Sequence, residues 1–229
     1  MRTLALAAII GVGLTAGGFA FAEQFTDPNG RLTFNAPSGW RVQPRNATGQ
    51  SVVLAFNPTN DCYFFGIPNP TTADSSPGAV HNTTTPLTAD AWVTAARPVP
   101  DFFEGSPATL VSQSVDTSGF WPVQRAELRG PSKTVYAAIL ARPGAEIRAF
   151  CSGSASGAAY DPIFASLAHP NDAAWEQAAS EQAAARAAAA AAAAAQQQQA
   201  QQQQQQTQPA ICTDPNVPMR DPRRRDCDD

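Results

Sequence analysis

Four β-prone runs stand close together in the second half of the chain: "ATLVSQSV" from Ala108, "PVQRAELRG" from Pro122, "TVYAAILAR" from Thr134 and "EIRAFCSG" from Glu146. A parallel neighbour needs a crossover of roughly a dozen residues or more, so strands joined this tightly must be largely antiparallel. The same pattern holds earlier. "RLTFNAP" alternates Leu32 and Phe34 with polar neighbours, and "GWRVQ" follows after a Pro-Ser-Gly turn. "SVVLAFN" and "DCYFFGI" are separated by "PTN", where Asn57, Pro58, Asn60 and Asp61 favour a turn, so a hairpin is expected.

Helices punctuate the strands. Residues 68–86 are polar and rich in Pro, Thr and Ser, and read as one long loop. In "LTADAWVTAA", Thr88 suits an N-cap and Asp90 the first turn. Leu87, Ala91, Trp92 and Ala95 fall at helical spacing, and Arg97-Pro98 ends the run. "AAYDPIFASLA" reads as a short closing helix with Tyr160, Ile163, Phe164 and Leu167 on one side. An antiparallel sheet covered by helices is an α+β domain.

Composition divides the chain. Residues 1–22 carry one charge, Arg2, before an apolar run that ends in Ala20-Phe21-Ala22, which predicts an export signal cleaved before Glu23. The competing reading is an uncleaved anchor, since the run from Leu4 to Phe21 is just long enough to span. Gly11, Gly13, Gly17 and Gly18 weaken such a helix. Residues 23–172, about 150 in all, suffice for one core. Residues 173–208 form an Ala/Gln-rich spacer, helical or disordered, and 209–229 a Pro/Arg/Asp-rich cap. Ala and Gln both favour helix. Asn171 or Asp172 is the expected N-cap, with Glu176 and Glu181 near the positive end of the dipole. No apolar stripe continues past Trp175, so helix is expected in the alanine half and fraying beyond it.

The segment "FTDPNGRLTFNAPSGW" resembles the opening of the PsbP-like superfamily, through Phe25, Asp27, Pro28, Gly30, Leu32, Phe34, Pro37, Gly39 and Trp40. That group includes a photosystem II extrinsic subunit, a Ran-binding import factor and bacterial envelope proteins. The resemblance implies a PsbP-like α/β/α sandwich of the bacterial envelope branch, with a non-catalytic binding or assembly role. It transfers no partner-binding residue. The local reading agrees: Asp27-Pro28-Asn29-Gly30 forms a turn, Leu32 and Phe34 point inward, and Trp40 starts the next strand as a core residue.

Chemistry-bearing residues are sparse. His81 and His169 lack an accompanying nucleophile and are expected to be solvated surface residues. "CSGSASG" does not match a nucleophile elbow. Carboxylates, among them Asp61, Asp116, Glu127, Glu146 and Asp161, show no metal-ligand spacing. No catalytic, metal-binding or cofactor-binding residue is therefore assigned. Phe102 and Phe103 either complete the core, the preferred reading, or form a docking loop with Asp101 and Glu104. Net charge is −4 and Lys133 is the only lysine, which argues against a nucleic-acid partner.

Four cysteines in an exported chain predict two disulfides. Cys62 and Cys151 lie in strands that can pair. Cys212 and Cys227 bracket a loop bearing Arg220, Arg223, Arg224 and Arg225, which either balances its aspartates or touches anionic envelope polymer. Other connectivities stay open. Three functions are carried forward. The first is an exported periplasmic or secreted binding or assembly factor with a protein or envelope-polymer partner. The second is a spacer protein that holds its domain away from an attachment point, and the third is an uncharacterised hydrolase.

Overall fold

A computed structural model describes residues 21–45, 48–82, 85–99 and 108–207. The chain divides into two units, residues 1–176 and 177–229. In the first unit β1 (Phe21–Thr26) and β2 (Thr33–Pro37) form a small antiparallel sheet. Next come β3 (Arg41–Arg45), β4 (Ser51–Phe56), β5 (Asn60–Pro68), α1 (Pro77–His81) and α2 (Ala89–Ala96). The meander follows as β6 (Thr109–Asp116), β7 (Val123–Arg129), β8 (Thr134–Arg142) and β9 (Ala145–Gly153). A 3-10 turn (Gly157–Tyr160) leads to α3 (Asp161–Ala165) and then to α4 (Asp172–Thr207).

The large sheet has seven strands in the order β3-β4-β5-β9-β8-β7-β6, all antiparallel. The fold is thus α+β, as the short connections require. Asn57 fixes the β4–β5 hairpin, its side-chain oxygen accepting from the Thr59 and Asn60 amides at 2.9 and 2.8 Å. Central strands read as continuous apolar runs because both faces are buried. Phe64 and Ile147 join Leu32, Phe34, Tyr160, Ile163 and Phe164 on one face. Phe65 and Phe150 join Trp92, Leu128, Val135 and Ile139 on the other. The helix α2 has its expected cap, with the Thr88 hydroxyl accepting from the Ala91 amide at 3.2 Å, and Trp92 fully buried.

The opening motif is a clamp. The buried Asp27 carboxylate accepts from the Asn29 and Arg31 amides at 3.0 and 3.4 Å and from the buried Ser51 hydroxyl. Gly30 closes the turn at φ 64°, where a side chain would be strained. Gly39 turns the chain at φ 81° after Pro37. The strand β2 is held to the far end of the domain by paired Thr33–Ala168 backbone bonds of 2.8 and 3.0 Å.

Several expectations need correction. Trp40 precedes β3 and packs against the core as expected, but is only half-buried, because β3 lies at the edge of the sheet among the described residues. Residues 68–86 are not one loop. Asn69 and Ser76 cap a 3-10 turn (Pro70–Thr72) and α1, each with Pro at its start, where the missing N–H is harmless. The closing helix is two pieces, since Pro162 lies in the first turn of α3, while Tyr160, Ile163, Phe164 and Leu167 are buried as expected. Beyond residue 176 helix continues through the glutamines to Thr207, further than the alanine half, with every described side chain from 180 to 204 exposed.

Candidate functional site

Along β8, Ala138 and Leu140 face the core, and Arg142 shares their phase. The result is a guanidinium 1% exposed at the strand's end. Its Nε and Nη2 donate to the two Asp172 carboxylate oxygens at 2.7 and 2.9 Å, and Nη1 to the Ala141 carbonyl at 2.9 Å. Bidentate pairing and a partner for each of the three nitrogens are what make this buried arginine tolerable. The guanidinium also lies 4.5 Å above the Trp121 ring. Asp172 additionally accepts from the His169 amide at 3.1 Å, so one carboxylate joins strand end, turn and first turn of α4.

An aromatic wall surrounds this pair. Trp121 meets Phe120 and Trp175 edge-on at 4.9 and 6.2 Å, and Trp175 packs on His169 at 4.5 Å. Phe120 stacks on His81 at 4.4 Å, and its carbonyl accepts from His81 Nδ1. Both histidines are therefore structural: His81 is half-buried and His169 is buried, contrary to the solvated reading. His169 Nδ1 accepts from the Asn171 amide at 3.1 Å, which fixes its proton on Nε2. Burial holds its pKa below the ordinary histidine value, Asp172 opposing and Arg142 reinforcing that shift.

The wall opens on a cleft of about 320 Å3, lined by Phe120, Trp121, Arg125, Phe164 and the carboxylates of Asp116 and Glu176. Arg125 pairs with Asp161 and, at 3.9 Å, with Asp116. Asp116 is held below the usual carboxylate range by the Ser118 hydroxyl and amide, with Arg125 adding to the effect. Among the described residues, the buried Trp121 Nε1 and Arg125 Nε have no hydrogen-bond partner. Chemically the cleft offers the half-buried Phe120 over the edge of the core, with the Arg125–Asp116 pair and the Glu176 carboxylate lining it, a composition suited to holding a ligand.

The residues assigned from sequence sit elsewhere. Asp27, Pro28, Gly30, Pro37, Gly39 and Trp40 belong to the opening turns. Cys62 and Cys151 face each other across β5 and β9 and form a disulfide, with both residues fully buried. Cys212, Cys227, Phe102 and Phe103 lie outside the described residues. The sequence reading names Asp172 only as a helix cap and assigns no role to Trp121 or Arg142. The usable signal was an arginine in phase with buried Ala138 and Leu140, followed by an acid at a helix start. Among the described residues, no group of three or more His, Cys, Asp or Glu is arranged to hold a metal.

No protein-family model and no curated protein matches the chain. Among solved structures, a protein from Bacteroides thetaiotaomicron is similar at 16% identity, over 64% of this chain and 47% of that one, with a TM-score of 0.33. The chain is also similar to cyanobacterial PsbP (CyanoP) from Synechocystis sp. PCC 6803, at 16% identity, over 72% of this chain and 98% of that one, with a TM-score of 0.47.

Proposed function

We propose that the protein is an exported, non-catalytic binding or assembly factor of the cell envelope, working in the periplasm or outside the cell on a protein or polymer partner. The observation that carries this reading is the aromatic cleft beside the locked Arg142–Asp172 pair. Arg142 is engaged with Asp172 and Arg125 with Asp116, so the wall is pre-organised, and half-buried Phe120 beside exposed Ser118 and Gly119 is what a partner meets. The buried disulfide fits an oxidising compartment. Among the described residues no helix is long and apolar enough to cross a membrane.

A photo-crosslinking residue at Gly119 tests the reading, because a side chain there meets nothing within 4 Å and the position lines the cleft. Adducts with one partner from Gly119, and none from the distant exposed Ser132, support it. Equal labelling from both positions sinks it.

A second reading, the spacer, draws on one observation. Residues 177–207 are helical, a length of about 45 Å, and expose every described side chain from 180 to 204. Deleting residues from 177 onward leaves Trp175 in place. If the shortened protein keeps its location and partner, the spacer reading fails.

A further inference from the structure

The two edges of the large sheet are unlike. At one, β3 is "RVQPR", five residues with arginine at both ends and a proline that lacks an N–H. These are the features that keep an edge from pairing with another chain. At the other, β6 is "TLVSQSVD", eight residues with no Lys, Arg or Pro and one charge at its end. Its ladder runs to β7 alone, and no backbone bond beyond that ladder involves it among the described residues. Val111, the extra residue of a bulge between Leu110 and Ser112, is 46% exposed. It is the one exposed large hydrophobic side chain among the described residues.

The edge also has an internal symmetry. Residues 111–115 read Val-Ser-Gln-Ser-Val, the same in both directions about Gln113. Two antiparallel copies on a two-fold axis through Gln113 place Ser112 opposite Ser114, with the bulged Val111 near Val115 of the other copy at each end of the shared stretch. A two-fold interface must be self-complementary in this sense. Hydroxyl side chains facing each other can hydrogen-bond across strands, and no like charges face each other. The pairing covers Val111 and gives the outer backbone groups of β6 partners that the other described residues do not supply. Gln113 is already positioned, its side-chain oxygen accepting from Trp92 Nε1 at 2.9 Å.

We infer that β6 is a self-association edge, at which two copies of this chain join their sheets into one continuous antiparallel sheet. The occupant is a second copy rather than a foreign peptide, because a foreign strand has no reason to meet a palindrome.

Sedimentation equilibrium of the full chain tests it, with a reversible monomer–dimer equilibrium expected. Ser112→Lys with Ser114→Lys sets lysine against lysine twice and weakens association about tenfold or more. Both serines are exposed, but Ser114 faces Arg125 and Ser112 faces Glu127 across the β6–β7 ladder. Each variant's monomer melting profile is therefore recorded beside its association, and recovery of the dimer on mixing separates pairing from stability. Mixing that variant with a Ser112→Glu/Ser114→Glu chain restores the dimer. Independently, Ser112→Cys and Ser114→Cys chains, when mixed and oxidised, cross-link to each other faster than either does to itself, since directly opposed residues lie within disulfide reach. A chain that stays monomeric, a dimer indifferent to the lysines, or cross-linking without that selectivity overturns the inference.

Discussion

Replacing both buried cysteines, Cys62→Ala with Cys151→Ala, isolates what the disulfide contributes. The two positions are 89 residues apart in sequence and fully buried at the sheet's centre. In the chain-entropy model, closing a loop of that length removes about 15 cal/mol/K from the unfolded state, or about 4.6 kcal/mol at 25 °C. Loss of two buried sulfurs adds about 1 kcal/mol of packing. The expected cost is therefore about 5 kcal/mol, or about 10–20 °C in Tm for a domain of this size. Urea unfolding followed by the fluorescence of the four tryptophans reads it, with one further signature. An unfolded chain freed of its loop exposes more surface, so the denaturant slope rises as the midpoint falls. A single Cys62→Ala variant should lose nearly as much, because either change opens the loop. A loss below about 1.5 kcal/mol, or an unchanged slope, would refute the argument that the bond acts on the unfolded state.

Other outcomes follow from the same contacts. Asp27→Ala leaves the Asn29 and Arg31 amides and the Ser51 hydroxyl without their acceptor. It should cost about 2–4 kcal/mol, with Ser51→Ala costing about 1 and the double variant less than the sum. Arg142→Met strands the Asp172 carboxylate and should cost about 3–5 kcal/mol by denaturant midpoint. Adding Asp172→Leu should restore part of the loss, since an apolar pair can replace a buried ion pair. His169 has a folded pKa below its unfolded value of about 6.5, so the unfolded chain binds the extra proton first. Stability contributed by this group is complete above that value and is lost as pH falls through the lower folded pKa. His169→Gln should flatten the unfolding midpoint between pH 7 and 5, and an unchanged slope would contradict the assignment. Tyr160, buried and pushed up to about 12 mainly by burial, should stay protonated in ultraviolet titrations until the domain unfolds in alkali.

The sheet was legible because its signals are local. Alternation in "RLTFNAP", the asparagine-rich hairpin turn and the Thr88 cap each act within a few residues. The short gaps of the meander leave one arrangement of neighbours. The strand order was less so. That β5 pairs with β9 follows from two-sided burial of both strands, and the only long-range hint was a cysteine in each. The cleft was hidden for a different reason. Arg142, Asp172, Trp121 and His169 are gathered by a strand end, a loop and a helix start, and none of them forms a spaced motif. The histidines misled because a lone His in a polar or proline-flanked stretch gives no sign of the tryptophan or phenylalanine that will cover it.

The junction of β5 with β9 sets the order in which the molecule can assemble. As the chain emerges from its N-terminus, β3, β4 and β5 can form a sheet of their own, with β5 at its rim. They must wait while α1, α2 and the next three strands are delivered. During that interval the β5 strand, "NDCYFFGIP", is an open template. The strand that ends the wait is the last of the large sheet to arrive. Completion of the sheet is thus a late, non-local event, the kind that makes folding slow and leaves a partly made chain prone to mispairing. A protein built this way depends on whatever shields the first three strands until the ninth appears.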